Sequence, residues 1–247
     1  MNFWESKPKS DVNTLILWQF DDEASSTEDV LDQIEDITKP PTDDLTAAIG
    51  KSEEVKPQLK YDAALAKEGR FGGCVMLFGN GHVDGVCSLS PAIRESKACT
   101  IDFWICPNEA ASDSVLLSIP FRGNRDSIAV KRTAGGGIRF TGEKGFLLEH
   151  PRVAPVGSWT HIALTLHAGG MFTLLVNGTP VTSREADRKA LAPMLDDLWN
   201  SVRFGAGMDG TAGFAGRLDA VRAVRFERLI YELADPAVLD PKAQRPL

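Results

Sequence analysis

Asp102 and Trp104 stand two residues apart in CTIDFWICP (99–107). Strict alternation puts them on one face of a strand, with Ile101, Phe103 and Ile105 on the other. A carboxylate beside an aromatic plane suits a sugar: the ring stacks on the aromatic and its hydroxyls bond the acid. The competing reading is a tryptophan packed beneath a loop, a common fate of large aromatics. His161 and His167 in SWTHIALTLHAGG (158–170) are six apart and share a face with Thr165 if the strand runs unbroken. Acid–base or metal chemistry is open to them. The plainer role for His161 is a hydrogen bond near a sheet edge. The ligand-binding candidates are therefore Asp102, Trp104, His161 and His167. No Ser or Cys has an evident base partner.

Four cysteines are present: Cys74, Cys87, Cys99 and Cys106. None forms a C-x-x-C pair, which argues against a zinc or thiol redox site. Asn80-Gly81 in GGCVMLFGNGHVDGVC (72–87) is a strong type I′ hairpin signal. That turn would set Cys74 opposite Cys87, close enough for a disulfide. Buried free thiols are the alternative. Gly135, Gly136 and Gly137, and GAGMDG (205–210), precede no helix, so they are turn glycines and not a phosphate cradle.

The elements that must carry these residues are mostly strands. TLILWQF (14–20) reads as a buried strand. STEDVLDQIEDI (26–37) reads as a helix: Ser26 with Asp29 resembles a capping box, Val30, Leu31, Ile34 and Ile37 share a face, and KPP (39–41) stops it. Residues 42–65 read as a long loop or a second short helix. From Phe71 onward short alternating runs follow one another: 114–119, 126–132, 136–140, 145–150, 160–166 and 172–176, the last closed by Asn177-Gly178, then 201–207 and 214–226. There is no βαβ pattern. Many short strands at regular spacing mean a sandwich or jelly roll.

The chain has 247 residues and a net charge of −7, which argues against a nucleic-acid partner. Residues 21–62 hold 13 acidic side chains against four basic ones, so the acidity belongs to that segment. No apolar run is long enough to span a membrane. MNFWESKPKSDV has no apolar h-region, so no signal peptide is visible. An intracellular location and a mature start both stay open.

GRFGGCVMLFGNGHV, CTIDFWICP, GSWTHIALTLHAGGMFTLLVNGTPV and FGAGMDGTAGFAGRLDAVRAVRF occur in that order, after LWQFDD. Together they resemble the laminin-G-like jelly roll of the concanavalin A-like lectin/glucanase superfamily. The resemblance runs from about residue 14 to 235 and is interrupted by the acidic segment. It departs from the pattern there and at Ala223. The expected fold is all-β: a two-sheet antiparallel jelly-roll sandwich with a short helical acidic insertion near the N-terminus. The expected organisation is an N-terminal extension at 1–13, one sandwich at 14–235 with the insertion at about 25–62, and a C-terminal tail at 236–247.

The resemblance implies a non-catalytic module that binds a glycan or a protein, in an extracellular or periplasmic setting. Superfamily relatives that cut polysaccharides use paired carboxylates, often as Glu-x-Asp-x-x-Glu on one strand. No strand here carries that pattern, and Asp102 is alone on its strand. A polysaccharide hydrolase or lyase is the alternative. A structural subunit docking through 21–62 is a third. The resemblance also implies a structural calcium ion joining the first and last strands through Asp22, in LWQFDD, and Asp219, in GRLDAVR. The competing reading has Asp219 bonded to backbone amides or Arg222.

Overall fold

The computed structural model describes residues 7–8, 14–21, 57–86, 98–109, 113–121, 125–142, 145–151, 154–167, 169–186 and 201–225. The expected helix at 26–37, and with it most of the acidic insertion, lies outside the described residues. Fifteen strands are present among those described: β1 (Thr14–Trp18), β2 (Gln58–Lys60), β3 (Ala63–Ala66), β4 (Cys74–Phe78), β5 (His82–Val86), β6 (Cys99–Pro107), β7 (Ser114–Phe121), β8 (Arg125–Arg132), β9 (Ile138–Thr141), β10 (Leu147–His150), β11 (Thr160–Leu166), β12 (Met171–Val176), β13 (Thr179–Glu185), β14 (Ser201–Phe204) and β15 (Ala215–Val224).

They form two antiparallel sheets. The first runs β13-β12-β11-β6-β15-β4-β3, with β1 also on β15. The second runs β10-β9-β8-β7-β14-β5-β2. The expected two-sheet sandwich is what the chain builds. Its core is the interdigitated inner faces, as the period-2 pattern requires. Ile101, Phe103 and Ile105 from β6, Ile162, Leu164 and Leu166 from β11, and Val202 and Phe204 from β14 are all buried in one cluster. Trp18 anchors it from β1, with its ring edge-on to Phe204 at 5.8 Å. The terminal strands lie side by side, Trp18 opposite Val221, as the sequence led us to expect.

Asn80-Gly81 does not close a hairpin. β4 belongs to the first sheet and β5 to the second, so residues 79–81 carry the chain across the sandwich edge. Beside them Tyr61 and Asp62 make the same crossing in the opposite direction, because β3 pairs with β4 and β2 with β5. Residues 58–66 are thus strand, corner and strand, where a loop or helix was expected. The correction reaches the cysteines. Cys74 faces Ala66 across β3 and is a buried free thiol. Cys87 lies outside the described residues. The Cys74–Cys87 bridge fails because its hairpin does not exist. Burial pushes the Cys74 and Cys99 thiols up to about 12, so both are inert at neutral pH.

Asn177-Gly178 does make its turn between β12 and β13, with φ of 47° and 73° at the two positions. The Asn177 side chain accepts the His161 amide at 2.9 Å, which ties this turn back to β11.

Close backbone approach makes some glycines obligatory. A Cβ on Gly73 would lie 1.8 Å from the Phe20 carbonyl oxygen, whereas one on Gly135 would meet nothing. Gly73→Ala is expected to lower unfolding free energy by about 3 kcal/mol, and Gly135→Ala by less than about 0.5 kcal/mol. Denaturant titration of the two variants reads the difference.

Candidate functional site

The expected ligand residues sit on the outer face of the first sheet, and that face is closed. Asp102 is 2% exposed, Trp104 3% and His161 2%. Arg222 forks onto Asp102 through two hydrogen bonds of 3.0 Å, and His161 Nε2 stands 3.4 Å from the same carboxylate. Burial alone would raise the Asp102 pKa, but the Arg222 guanidinium and the His161 ring hold it down at about 2. Trp104 packs against His161, meets Phe71 edge-on at 5.7 Å and lies beneath the Arg70 guanidinium at 4.8 Å. These three residues hold one another and offer a ligand no surface. Their polarity had suggested a ligand face, and the reason for the correction is that the face is covered. His167 is half-buried, and its Nε2 joins Thr173 and Ser183 in a chain of 2.9 Å bonds. It does not join His161.

Asp219 and Asp21 fasten the loop that covers Trp104. Asp219, fully buried, accepts the Phe71 amide at 3.0 Å, and Asp21 accepts the Gly73 amide at 3.0 Å. The other Asp21 oxygen pairs with Lys7. Burial raises the Asp219 carboxyl to about 7, against its amide bonds, and the Asp21 charge adds to the rise. Asp22, the other expected calcium ligand, lies outside the described residues. Calcium takes six to eight oxygens. Among the described residues no group of three or more His, Cys, Asp or Glu side chains is arranged to hold a metal. Asp219 Oδ2 and both Asp21 oxygens already accept amide or ammonium donors, while the buried Asp219 Oδ1 has no hydrogen-bond partner.

The second sheet turns a different face outward. One register row crosses all seven strands: Gln58, Asp84, Arg203, Ser118, Ala129, Thr141 and Leu147. Ser118 and Ala129, the small residues at the centre, are buried, while Gln58 and Leu147 at the ends are exposed. Arg203 clamps Asp84 through bonds of 2.7 and 2.9 Å, and His82 Nε2 stands 3.5 Å from it. Burial works to raise Asp84, but His82 and Arg203 together bring it down to about 2. Arg139 forks onto Glu149 through two 3.2 Å bonds and reaches Asp113 at 3.5 Å. Sequence reading missed this face. Alternation in HVDGV does put His82 and Asp84 together, but Arg203 joins them only through a pairing 119 residues away.

Two antiparallel sheets stacked face to face, with one outer face closed by an ionic network, define a β-sandwich of the jelly-roll class. A family model described as the concanavalin A-like lectin/glucanases superfamily, of laminin G type, matches residues 80–228. The chain belongs to that family. No curated protein matches it. Among solved structures it is similar to the receptor binding domain of botulinum neurotoxin C/D mosaic serotype, with a TM-score of 0.64 at 12% identity, over 90% of this chain and 50% of that one. It is also similar to the botulinum neurotoxin DC binding domain in complex with rat synaptotagmin II, with a TM-score of 0.63 at 10% identity and the same coverages of 90% and 50%. The Ruminococcus gnavus IT-sialidase CBM40 bound to alpha2,3 sialyllactose gives a TM-score of 0.49 at 19% identity, over 55% of this chain and 80% of that one. The chain spans about half the length of the toxin domains, and at these identities the likeness shows the fold.

Arg222→Met would leave the buried Asp102 carboxylate with only the His161 ring beside it and is expected to cost about 3–5 kcal/mol, read by denaturant titration. Asp219 gives a pH signature. Its folded pKa of about 7 exceeds the ordinary 3.8. The folded state therefore keeps a proton that the unfolded chain releases, so the Asp219 contribution to stability is greatest below about pH 4 and is lost as pH rises toward 7. Asp102 and Asp84, both held at about 2, contribute level stability across that window. Asp219→Asn should flatten the fall between about pH 5 and 7.5.

Proposed function

We propose that the chain is a non-catalytic binding module. The observation that carries this reading is a mismatch between where the carboxyls titrate and where they are exposed. A glycoside hydrolase needs an accessible acid with a raised pKa beside a second carboxylate. Among the described residues the carboxyl raised toward neutrality, Asp219, is fully buried. Asp84, on the outer face of the second sheet, is held ionised by Arg203 and His82. His82 has a side chain only 3% exposed, so it cannot reach a substrate proton in this arrangement.

A glycan or a protein is the partner class that the family supports. The fold is shared with toxin binding domains whose structures include complexes with rat synaptotagmin II and with SialylT. The outer face of the second sheet has a recognition surface's composition: paired charges, small residues at the centre, and an exposed Gln58 and Leu147 at its two ends. Docking through 21–62 rests on a segment mostly outside the described residues and has no support from the described fold.

The test is to offer glycans and candidate proteins while watching for product. Retention on a glycan array or in a pull-down, with no new reducing ends and no unsaturated sugar after long incubation with polysaccharides, is the expected result. Product formation that Asp84→Asn abolishes would overturn the reading.

A further inference from the structure

The corner where the chain crosses between the sheets presents one aromatic ring in an unusual way. Tyr61 is 73% exposed, the most exposed of the large apolar side chains described. Its backbone is left-handed, with φ of 53°. A bulky residue there is a conformational outlier, and such strain persists where the surrounding structure enforces it. Enforcement is visible on both sides. Lys60 is paired with His82 and Ala63 with Leu77, so Tyr61 and Asp62 must turn the corner in two residues. Gly81 packs against the same turn, where a Cβ would lie 2.4 Å from the Asp62 carbonyl oxygen.

The ring has a floor. Tyr61 contacts His82 with centroids 5.4 Å apart and ring planes tilted by 51°, and the buried His82 leans on the Asp84–Arg203 pair. The Tyr61 side chain is thus backed on one side by a fixed group, while most of its surface is exposed. Beside it, Asn80 Nδ2 points at Asp62 Oδ2 across 3.5 Å, the outer limit of a hydrogen bond. An amide and a carboxylate held that loosely are free to take new partners. Lys60 flanks them and is part-exposed.

From this arrangement we propose that Tyr61, Asp62 and Asn80 form a binding site for a neutral pyranose of a glycan chain. The apolar face of the sugar ring stacks on Tyr61. Asp62 accepts from its hydroxyls, and Asn80 donates to them and accepts from them. The left-handed backbone sets the direction in which the Tyr61 side chain leaves the corner, and the His82 contact supports the ring there, which lowers the ordering cost of binding. Asp62 disfavours an acidic sugar at this position, since a second carboxylate would be repelled. The proposal deepens the binding-module reading and rests on it.

The test uses the whole chain on an array of neutral galactosides, glucosides and mannosides with sialylated counterparts, followed by calorimetric titration of the strongest neutral binder. Tyr61→Gly removes the ring and relieves the left-handed strain. It is therefore expected to fold with an undiminished melting temperature and to lose at least about tenfold in affinity. Tyr61→Phe, which keeps the ring, should stay within about threefold, and Asp62→Ala should weaken binding. Unchanged affinity in folded Tyr61→Gly would overturn the site while leaving the binding module intact. Binding of sialylated glycans alone, or of a protein and no glycan, would overturn the site in the same way. A chain that retains neither glycan nor protein would overturn the binding module as well.

Discussion

One extra residue in β15 sets the character of the first sheet. Asp219 and Arg222 are three apart, an odd spacing that would send them to opposite faces of a regular strand. The pairing with β6 slips between them: Asp219 stands opposite Trp104 and Arg222 opposite Asp102. Ala220 takes up the slack with φ of 50°. This β-bulge turns both charged side chains outward. Arg222 then meets Asp102, and Asp219 meets the amides of the 69–73 loop. The two contacts could not both exist on an unbroken strand.

From that bulge follows the division of labour between the two outer faces. Arg222 can be buried only because Asp102 neutralises it, and Asp102 can be buried only because Arg222 and His161 keep it ionised without water. Asp219 and Asp21 then hold the loop whose Arg70 and Phe71 lie on Trp104. Charge on the first sheet is spent on closure. On the second sheet the same residue types stay partly wet, with the Arg203 and Asp84 side chains 15% and 25% exposed. Recognition is assigned to that side and to the corner beside it because polar groups there remain within reach of a partner.

The strand pattern was legible in the sequence because alternation records which side chains meet the core. CTIDFWICP and THIALTL divide between inner and outer faces as their period requires. The Asn177-Gly178 turn was legible because both residues adopt positive φ. The identical dipeptide at 80–81 misled, because its flanking strands find β3 and β2 as partners, and those lie upstream in a stretch with weak patterning. The outer face of β6 misled for another reason. A polar residue on a strand face reads as solvated, and nothing local says that a loop and a bulged neighbour will bury it. Tyr61 gave no signal at all, since its meaning lies in a backbone angle and in a histidine 21 residues away.

The central claim is that ligands meet the second sheet and its corner, not the closed outer face of the first. Backbone amide shifts of the isotopically labelled chain, followed by NMR as the strongest-binding glycan is added, test it most directly. The account predicts perturbations centred on Tyr61, Asp62, Asn80 and Asp84, with Asp102, Trp104 and His161 unmoved. Perturbations centred on Asp102, Trp104 and His161, with the Tyr61 corner silent, would contradict it.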